Sequence, residues 1–166
     1  HVGVGTERGF ARTIRHLELN EPLNGAEKLD ATGLVIAPGF IDVHSHGDWI
    51  LPLEDHEEIL APLVLQGITT LVTGQCGFSV APVTDESIPH VDAVSEMLRE
   101  RTFPYRWHTM GEFLGALEGD GLLLNAAFLV GHSTIRGAAM GDRSGAPTPE
   151  ELEAMRRLTR QSLREG

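Results

Sequence analysis

The sequence predicts an α/β fold in which strands and helices alternate from about residue 38 onwards. Three apolar or β-branched runs have the length and composition of strands: residues 40–46, 68–73 and 122–130. Helix-start and helix-stop residues follow each run, which is typical of successive strand–helix units. The first 37 residues lack helical periodicity and carry turn residues, so short strands are expected there.

The helices after the first two strands are placed by their end signals. Asp55, with Glu58 three residues later, predicts a capping-box start, and Gly67 predicts the end of that helix. Pro62 is expected to kink it. Further helical structure is expected within residues 87–101.

Two more helix starts show the same pattern. Thr109 and Glu112 predict a capping box for a short helix that ends at Gly119. Thr148 precedes Pro149, a residue that favours the first helical position, so the last helix begins there. The apolar face of this helix is predicted to comprise Leu152, Met155, Leu158 and Leu163.

Two histidines end the first predicted strand, in the segment APGFIDVHSHGD. Successive strand side chains point to opposite faces, so His44 and His46 should share one face, ~7 Å apart. Imidazoles at that spacing can bind one divalent transition metal. On spacing alone, a polar loop that happens to contain two histidines explains the pattern equally well.

The single cysteine, Cys76, follows the second predicted strand between two glycines. It has no partner for a disulfide within the chain. Three roles therefore remain open for it: a small buried apolar residue, a reactive thiol or a metal ligand.

Together these segments resemble a known enzyme family. APGFIDVHSHGD resembles the first barrel strand of the amidohydrolase superfamily. With GITTLVTGQCGFSVAP and LVGHSTIRGAAM, the chain resembles the N-acyl-D-amino-acid deacylases, or D-aminoacylases, from about residue 34 to residue 166. The cysteine is the most specific of these features, because other branches commonly use a carbamylated lysine as the bridging metal ligand.

The resemblance implies a TIM-like (β/α)8 barrel and a small β-sandwich built from both chain ends. Residues 1–37 would then be part of the sandwich, and residues 38–166 would be the first part of the barrel, about three βα units. A complete barrel takes ~250 residues. The 166 residues are therefore interpreted as an N-terminal fragment, which alone would be inactive.

The resemblance also implies a zinc site. Cys76 would bind one tightly held metal together with histidines from later strands, while His44 and His46 would bind a second metal more weakly. The residue that transfers protons would be an aspartate after the last barrel strand. No catalytic residue is therefore expected within this chain.

Further site residues are predicted from the rule that barrel active sites lie at the carboxyl ends of the strands. His132 would contact substrate or support the metal ligands. Asp48 is either an orienting carboxylate or a solvated loop acid, and Arg136 either pairs with a substrate carboxylate or is solvated. Asp42 would have a supporting role in the structure.

The activity implied by the resemblance is hydrolysis of a small molecule, an N-acyl-D-amino acid, to a carboxylate and a free D-amino acid. A cyclic-amide hydrolase of the hydantoinase or dihydroorotase kind is an alternative. It needs a carbamylated lysine, whereas the only lysine here is Lys28, before the barrel. A non-catalytic barrel is the other alternative, although a scaffold has no need of metal ligands.

Charge and hydropathy exclude several partners. The net charge is −11, from 13 basic and 24 acidic residues, which argues against binding to nucleic acid or to an anionic membrane surface. No apolar stretch approaches the ~20 residues of a membrane span. A single cysteine is compatible with the reducing cytoplasm, which is the expected location.

Overall fold

The computed structural model describes residues 2–4, 12–14, 32–33, 35, 37–96, 103 and 105–166. In chain order, its strands and α-helices within these ranges are β1 (Val2–Val4), β2 (Arg12–Ile14), β3 (Phe40–Asp42), α1 (His56–Leu65), β4 (Ile68–Thr73), α2 (Ile88–Ser95), α3 (Met110–Asp120), β5 (Asn125–Phe128), α4 (His132–Met140) and α5 (Pro149–Glu165).

Strands β3, β4 and β5 form a parallel sheet and lie in it in sequential order. Phe40 pairs with Ile68, and Thr70 pairs with Asn125. Helices connect the strands, as parallel pairing requires. The predicted α/β class is therefore confirmed. Because the strands are parallel, their carboxyl ends lie along one edge of the sheet.

The first 37 residues are described only in part. Strands β1 and β2 form an antiparallel pair in which Gly3 lies opposite Thr13. The rest of the predicted β-sandwich falls outside the described residues, apart from residues 32–33, 35 and 37. The domain boundary near residue 37 therefore stays a prediction.

The first strand of the parallel sheet is shorter than predicted. It ends at Asp42, and the histidines lie in the bend that follows. The carboxylate of Asp42 accepts a hydrogen bond from the backbone amide of His44 at 3.1 Å. This local bond stabilises the bend that contains the histidines.

The third parallel strand is also shorter than the predicted run of residues 122–130, and it is only partly buried. Asn125 and Ala127 are exposed, and Leu129 just beyond them is 47% exposed. In the described part of the chain no strand pairs with the outer edge of β5. Ile41 and Val43 at the other edge of the sheet are 61% and 69% exposed.

Most helix ends follow their signals, although α3 continues to Asp120, one residue beyond the predicted end at Gly119. The capping box predicted at α3 is present, and the helix start predicted at Thr148 also has a capping box, with Glu151. At α1, Asp55 is the N-cap but its side chain makes no capping hydrogen bond, so the capping box predicted there is wrong. Gly67 ends this helix with a φ of +87°. On α5, Met155 is buried while Leu163 is 71% exposed, so only part of its predicted apolar face is covered.

The core lies between the sheet and helices α1 and α3, and aromatic rings fill much of it. Trp107 contacts Phe103 and Phe113 with ring centroids 5.7 and 5.0 Å apart, and it is 1% exposed. Its indole N–H donates to the carbonyl of Val80 at 2.9 Å. This bond attaches the loop after β4 to the core. None of the described helices is both long and apolar enough to cross a membrane.

Candidate metal centre

The three predicted metal ligands converge at the carboxyl ends of β3 and β4. His44, His46 and Cys76 each offer a donor atom, and these atoms lie within 4.8 Å of one another. The thiol Sγ of Cys76 is 3.5 Å from Nε2 of His44. The two imidazole rings are 6.1 Å apart between centroids and nearly perpendicular, at 75°.

The route by which the histidines converge differs from the prediction. They do not project from one face of a strand, because β3 has ended before them. Instead the bend stays attached to β4: the amide of Ser45, between the histidines, donates to the carbonyl of Val72 at 3.0 Å. The side-chain amide of Gln75 donates to the carbonyl of Val43 at 2.9 Å.

Cys76 occupies an unusual backbone conformation. Its φ is +56° and that of Gly77 is +84°, and the amide of Phe78 donates to the carbonyl of Gln75 at 2.9 Å. Positive φ at both central residues is what a type I′ turn requires, and glycine, asparagine and aspartate usually supply it. A cysteine there carries a steric cost, and residues held in this way cluster at functional sites.

A hydrogen-bond network holds this loop against the start of α4. Thr134 Oγ1 accepts from the amide of Ser79 at 2.8 Å and donates to its carbonyl at 2.9 Å, and both residues are buried. Ser79 Oγ accepts from the amide of Gly131 at 2.9 Å, and the amide of Ser133 donates to the carbonyl of Gly77 at 2.8 Å. The loop that carries Cys76 is therefore fixed to an element more than fifty residues away.

Thr134→Val is expected to lower the free energy of unfolding by about 2 kcal/mol, because it leaves the buried amide and carbonyl of Ser79 unpaired. Thr159→Val is the matched control, since the Thr159 hydroxyl only donates to a carbonyl within its own helix. Urea unfolding of both variants in the intact protein checks this. If both variants lose the same free energy of unfolding, the bonds between Thr134 and Ser79 stabilise the protein no more than the bond that Thr159 makes within its own helix.

The donor set fits a zinc ion. At usual Zn–S and Zn–N distances, two ligands of a tetrahedral zinc lie about 3.5 Å apart, which matches the separation of Cys76 Sγ and His44 Nε2. The buried Nδ1 of His46 has no hydrogen-bond partner in the described part of the chain. Buried polar atoms are normally satisfied, and a bound metal is one way to satisfy this one.

Asp48 is buried, at 1% exposure, within a short 3-10 turn (Gly47–Trp49). Of the two alternatives for Asp48, the solvated loop acid is therefore wrong. Burial raises the pKa of Asp48 to about 7, while the backbone amides of Asp48 itself, Gly74 and Val80 act to lower it. None of these amides reaches hydrogen-bonding geometry, and neither carboxylate oxygen has a partner within the described ranges. Its role in orienting a ligand stays a prediction.

His132 and Arg136 lie on a helix, α4, that the sequence did not predict. Gly131 is its N-cap and has no side chain to signal a start. His132 is the exposed first residue of this helix, next to the Ser133 amide that contacts the cysteine loop. Arg136 donates to the carbonyls of Arg143 and Gly145, at 3.2 and 2.6 Å, so it holds the loop before α5. The substrate roles of both residues stay predictions.

Comparison with known proteins agrees with the family that the residues of the site resemble. No protein-family model matches the chain. Over 140 residues, 84% of the chain, it is 41% identical to a D-aminoacylase of Alcaligenes xylosoxydans xylosoxydans. Over 142 residues, 86% of the chain, it is 42% identical to an N-acyl-D-aspartate deacylase of the same organism. The chain is homologous to the D-aminoacylases and N-acyl-D-amino-acid deacylases.

Solved structures of this family share the fold of the chain. A D-aminoacylase with a binuclear metal centre superimposes with a TM-score of 0.64, at 37% identity over 78% of the chain. An N-acyl-D-glutamate deacylase of Bordetella bronchiseptica, in complex with zinc and a phosphonate inhibitor, superimposes with a TM-score of 0.60, at 33% identity over 76% of the chain.

The chain spans about a quarter of these homologues. It covers 27% of each of the two Alcaligenes enzymes. It covers 26% and 25% of the two solved structures.

Proposed function

We propose that the intact protein is a metal-dependent deacylase that hydrolyses the amide bond of N-acyl-D-amino acids to a carboxylate and a free D-amino acid. The convergence of His44, His46 and Cys76 within 4.8 Å carries this proposal. A thiolate and two imidazoles at neighbouring strand ends suit a transition metal, and the homologues named above are D-amino-acid deacylases.

The proposal includes the fold of the intact protein. Residues 38–166 form the first part of a (β/α)8 barrel, and residues 1–37 belong to a small β-sandwich. Sequential parallel order in β3-β4-β5 supports this, as do the apolar side chains exposed at both edges of the sheet. An isolated chain with these edges open is proposed to be inactive.

The metal assignment follows the resemblance. Cys76 holds one tightly bound zinc ion with ligands from later strands, and His44 and His46 hold a second metal more weakly. The 3.5 Å separation of Cys76 Sγ and His44 Nε2 supports a single metal centre to which both side chains would contribute. A bound zinc ion would lower the pKa of water and polarise the amide carbonyl.

In this mechanism the residues of this chain bind the metal and hold its ligands in position. The bend after β3 and the turn after β4 hold the donors close together through backbone hydrogen bonds, and such positioning is the preorganisation that a metal site needs. His132, exposed beside the cysteine loop, faces substrate or supports the ligands. The group that transfers protons comes from outside this chain, and the single cysteine suits a reducing compartment such as the cytoplasm.

Turnover by the intact, zinc-loaded protein tests the proposal. N-acetyl-D-amino acids with acidic, neutral and aromatic side chains are compared with their L-enantiomers and with hydantoin and dihydroorotate. Release of free D-amino acid from at least one D-substrate, with little from its L-enantiomer, is expected. Turnover of the cyclic amides alone would support the cyclic-amide alternative, and no turnover with bound metal would support a scaffold.

A further inference from the structure

Gln75 connects the two segments that carry the metal ligands. It directly precedes Cys76, and its side-chain amide crosses to the neighbouring strand end, where it donates to the carbonyl of Val43 at 2.9 Å. Val43 directly precedes His44 in the chain. One hydrogen bond therefore joins the residues next to Cys76 and next to His44.

The backbone of Gln75 is fixed as well. Its carbonyl accepts from the amide of Phe78 and so closes the turn that holds Cys76 at a φ of +56°. Its side-chain amide also lies 3.4 Å from the carbonyl of Val72, the same carbonyl that accepts from the amide of Ser45. The turn and the histidine bend are thus attached to each other at two neighbouring points.

We infer that Gln75 is a positioning residue: its side-chain amide sets the separation between Cys76 and the His44–His46 pair, and thereby the affinity of the weaker metal site. The inference rests on the proposed function. Gln75 touches neither donor atom in the described contacts. It acts through Val43 and through the turn, by keeping the exposed His44 bend next to a strained cysteine turn.

The test uses Co²⁺ as the probe and the intact protein in two matched variants. Gln75→Met keeps the length of the side chain and its lack of charge but removes the donor. Gln66→Met is the control, because the Gln66 side-chain amide also donates to a backbone carbonyl at 2.9 Å, that of Pro62 at the end of α1. The measurements are the thiolate-to-cobalt absorption band, the Co²⁺ affinity of each equivalent, and the thermal midpoint of the metal-free protein.

In Gln75→Met, the second Co²⁺ equivalent should bind about five- to tenfold more weakly, the scale of one lost hydrogen bond. The first equivalent should stay bound with a perturbed thiolate band, and the thermal midpoint should match that of Gln66→Met. The inference would be overturned if Gln75→Met left both the Co²⁺ affinity and the thiolate band unchanged, or if it lowered only the thermal midpoint. It would also be overturned if Gln66→Met weakened Co²⁺ binding equally. If the unsubstituted protein binds Co²⁺ without a thiolate band, the proposed function itself fails, because Cys76 is then not a ligand.

Discussion

Replacing Cys76 with serine should remove most of the tightly bound metal from the intact protein and nearly all of its turnover. A serine hydroxyl is a poor ligand for zinc and stays protonated near neutral pH, whereas a metal-bound thiol is deprotonated. The loss of turnover should exceed about 100-fold, the upper range for residues that only support ligands. Metal content after dialysis and deacylase rate measure the two effects.

His44→Ala is the control for this prediction. In the proposed assignment it weakens the second site, so the tightly bound metal should remain after dialysis. The side chain of Cys76 is exposed, so a role in packing alone predicts little change in metal content or turnover for Cys76→Ser. A Cys76→Ser protein with a full equivalent of metal and normal turnover would remove the main support for the deacylase assignment.

Gly74→Ala should lower the free energy of unfolding by about 3 kcal/mol. Gly74 has a φ of +78°, and a Cβ there would collide with the backbone carbonyl of Leu129. A positive φ costs an alanine roughly 1 kcal/mol, and the collision would force β4 and the chain after β5 apart, at a further cost of about 2 kcal/mol. Urea unfolding of the intact metal-free protein measures the loss.

Gly145→Ala separates the two costs. Gly145 has a φ of +91°, but a Cβ there would meet no atom within 4 Å among the described residues. It should therefore lose only the conformational part, roughly 1 kcal/mol. Equal losses at Gly74 and Gly145 would show that the contact between Gly74 and Leu129 is not tight in solution.

The fold class and most helix ends could be predicted because they depend on local signals. Thr109 and Thr148 each bond to the amide of the residue three positions on, so the sequence contains both partners. Helix α4 could not be predicted in this way. Its start is fixed by contacts of Ser133 and Thr134 with a loop more than fifty residues earlier, and no nearby residue signals them.

The same distinction applies to the site. His44, His46 and Cys76 could be predicted as candidate ligands, since the short motifs that contain them carry the family resemblance. Gln75 could not be predicted, because its contact partner, Val43, lies 32 residues away in the bend after β3. The burial of Asp48 likewise depends on how the short turn after the histidines packs beneath the loop after β4.

The sequence by itself determined the α/β class, the identity of three candidate metal ligands and the resemblance to the D-amino-acid deacylases. Periodicity and short spacing are sufficient for the class, and the motif resemblance indicated the ligands and the family. Only the tertiary structure decided that β3 ends before the histidines, that Cys76 lies in a turn with positive φ, and that Asp48 is buried. These features depend on hydrogen bonds and packing between segments distant in the chain, and no local pattern encodes such contacts.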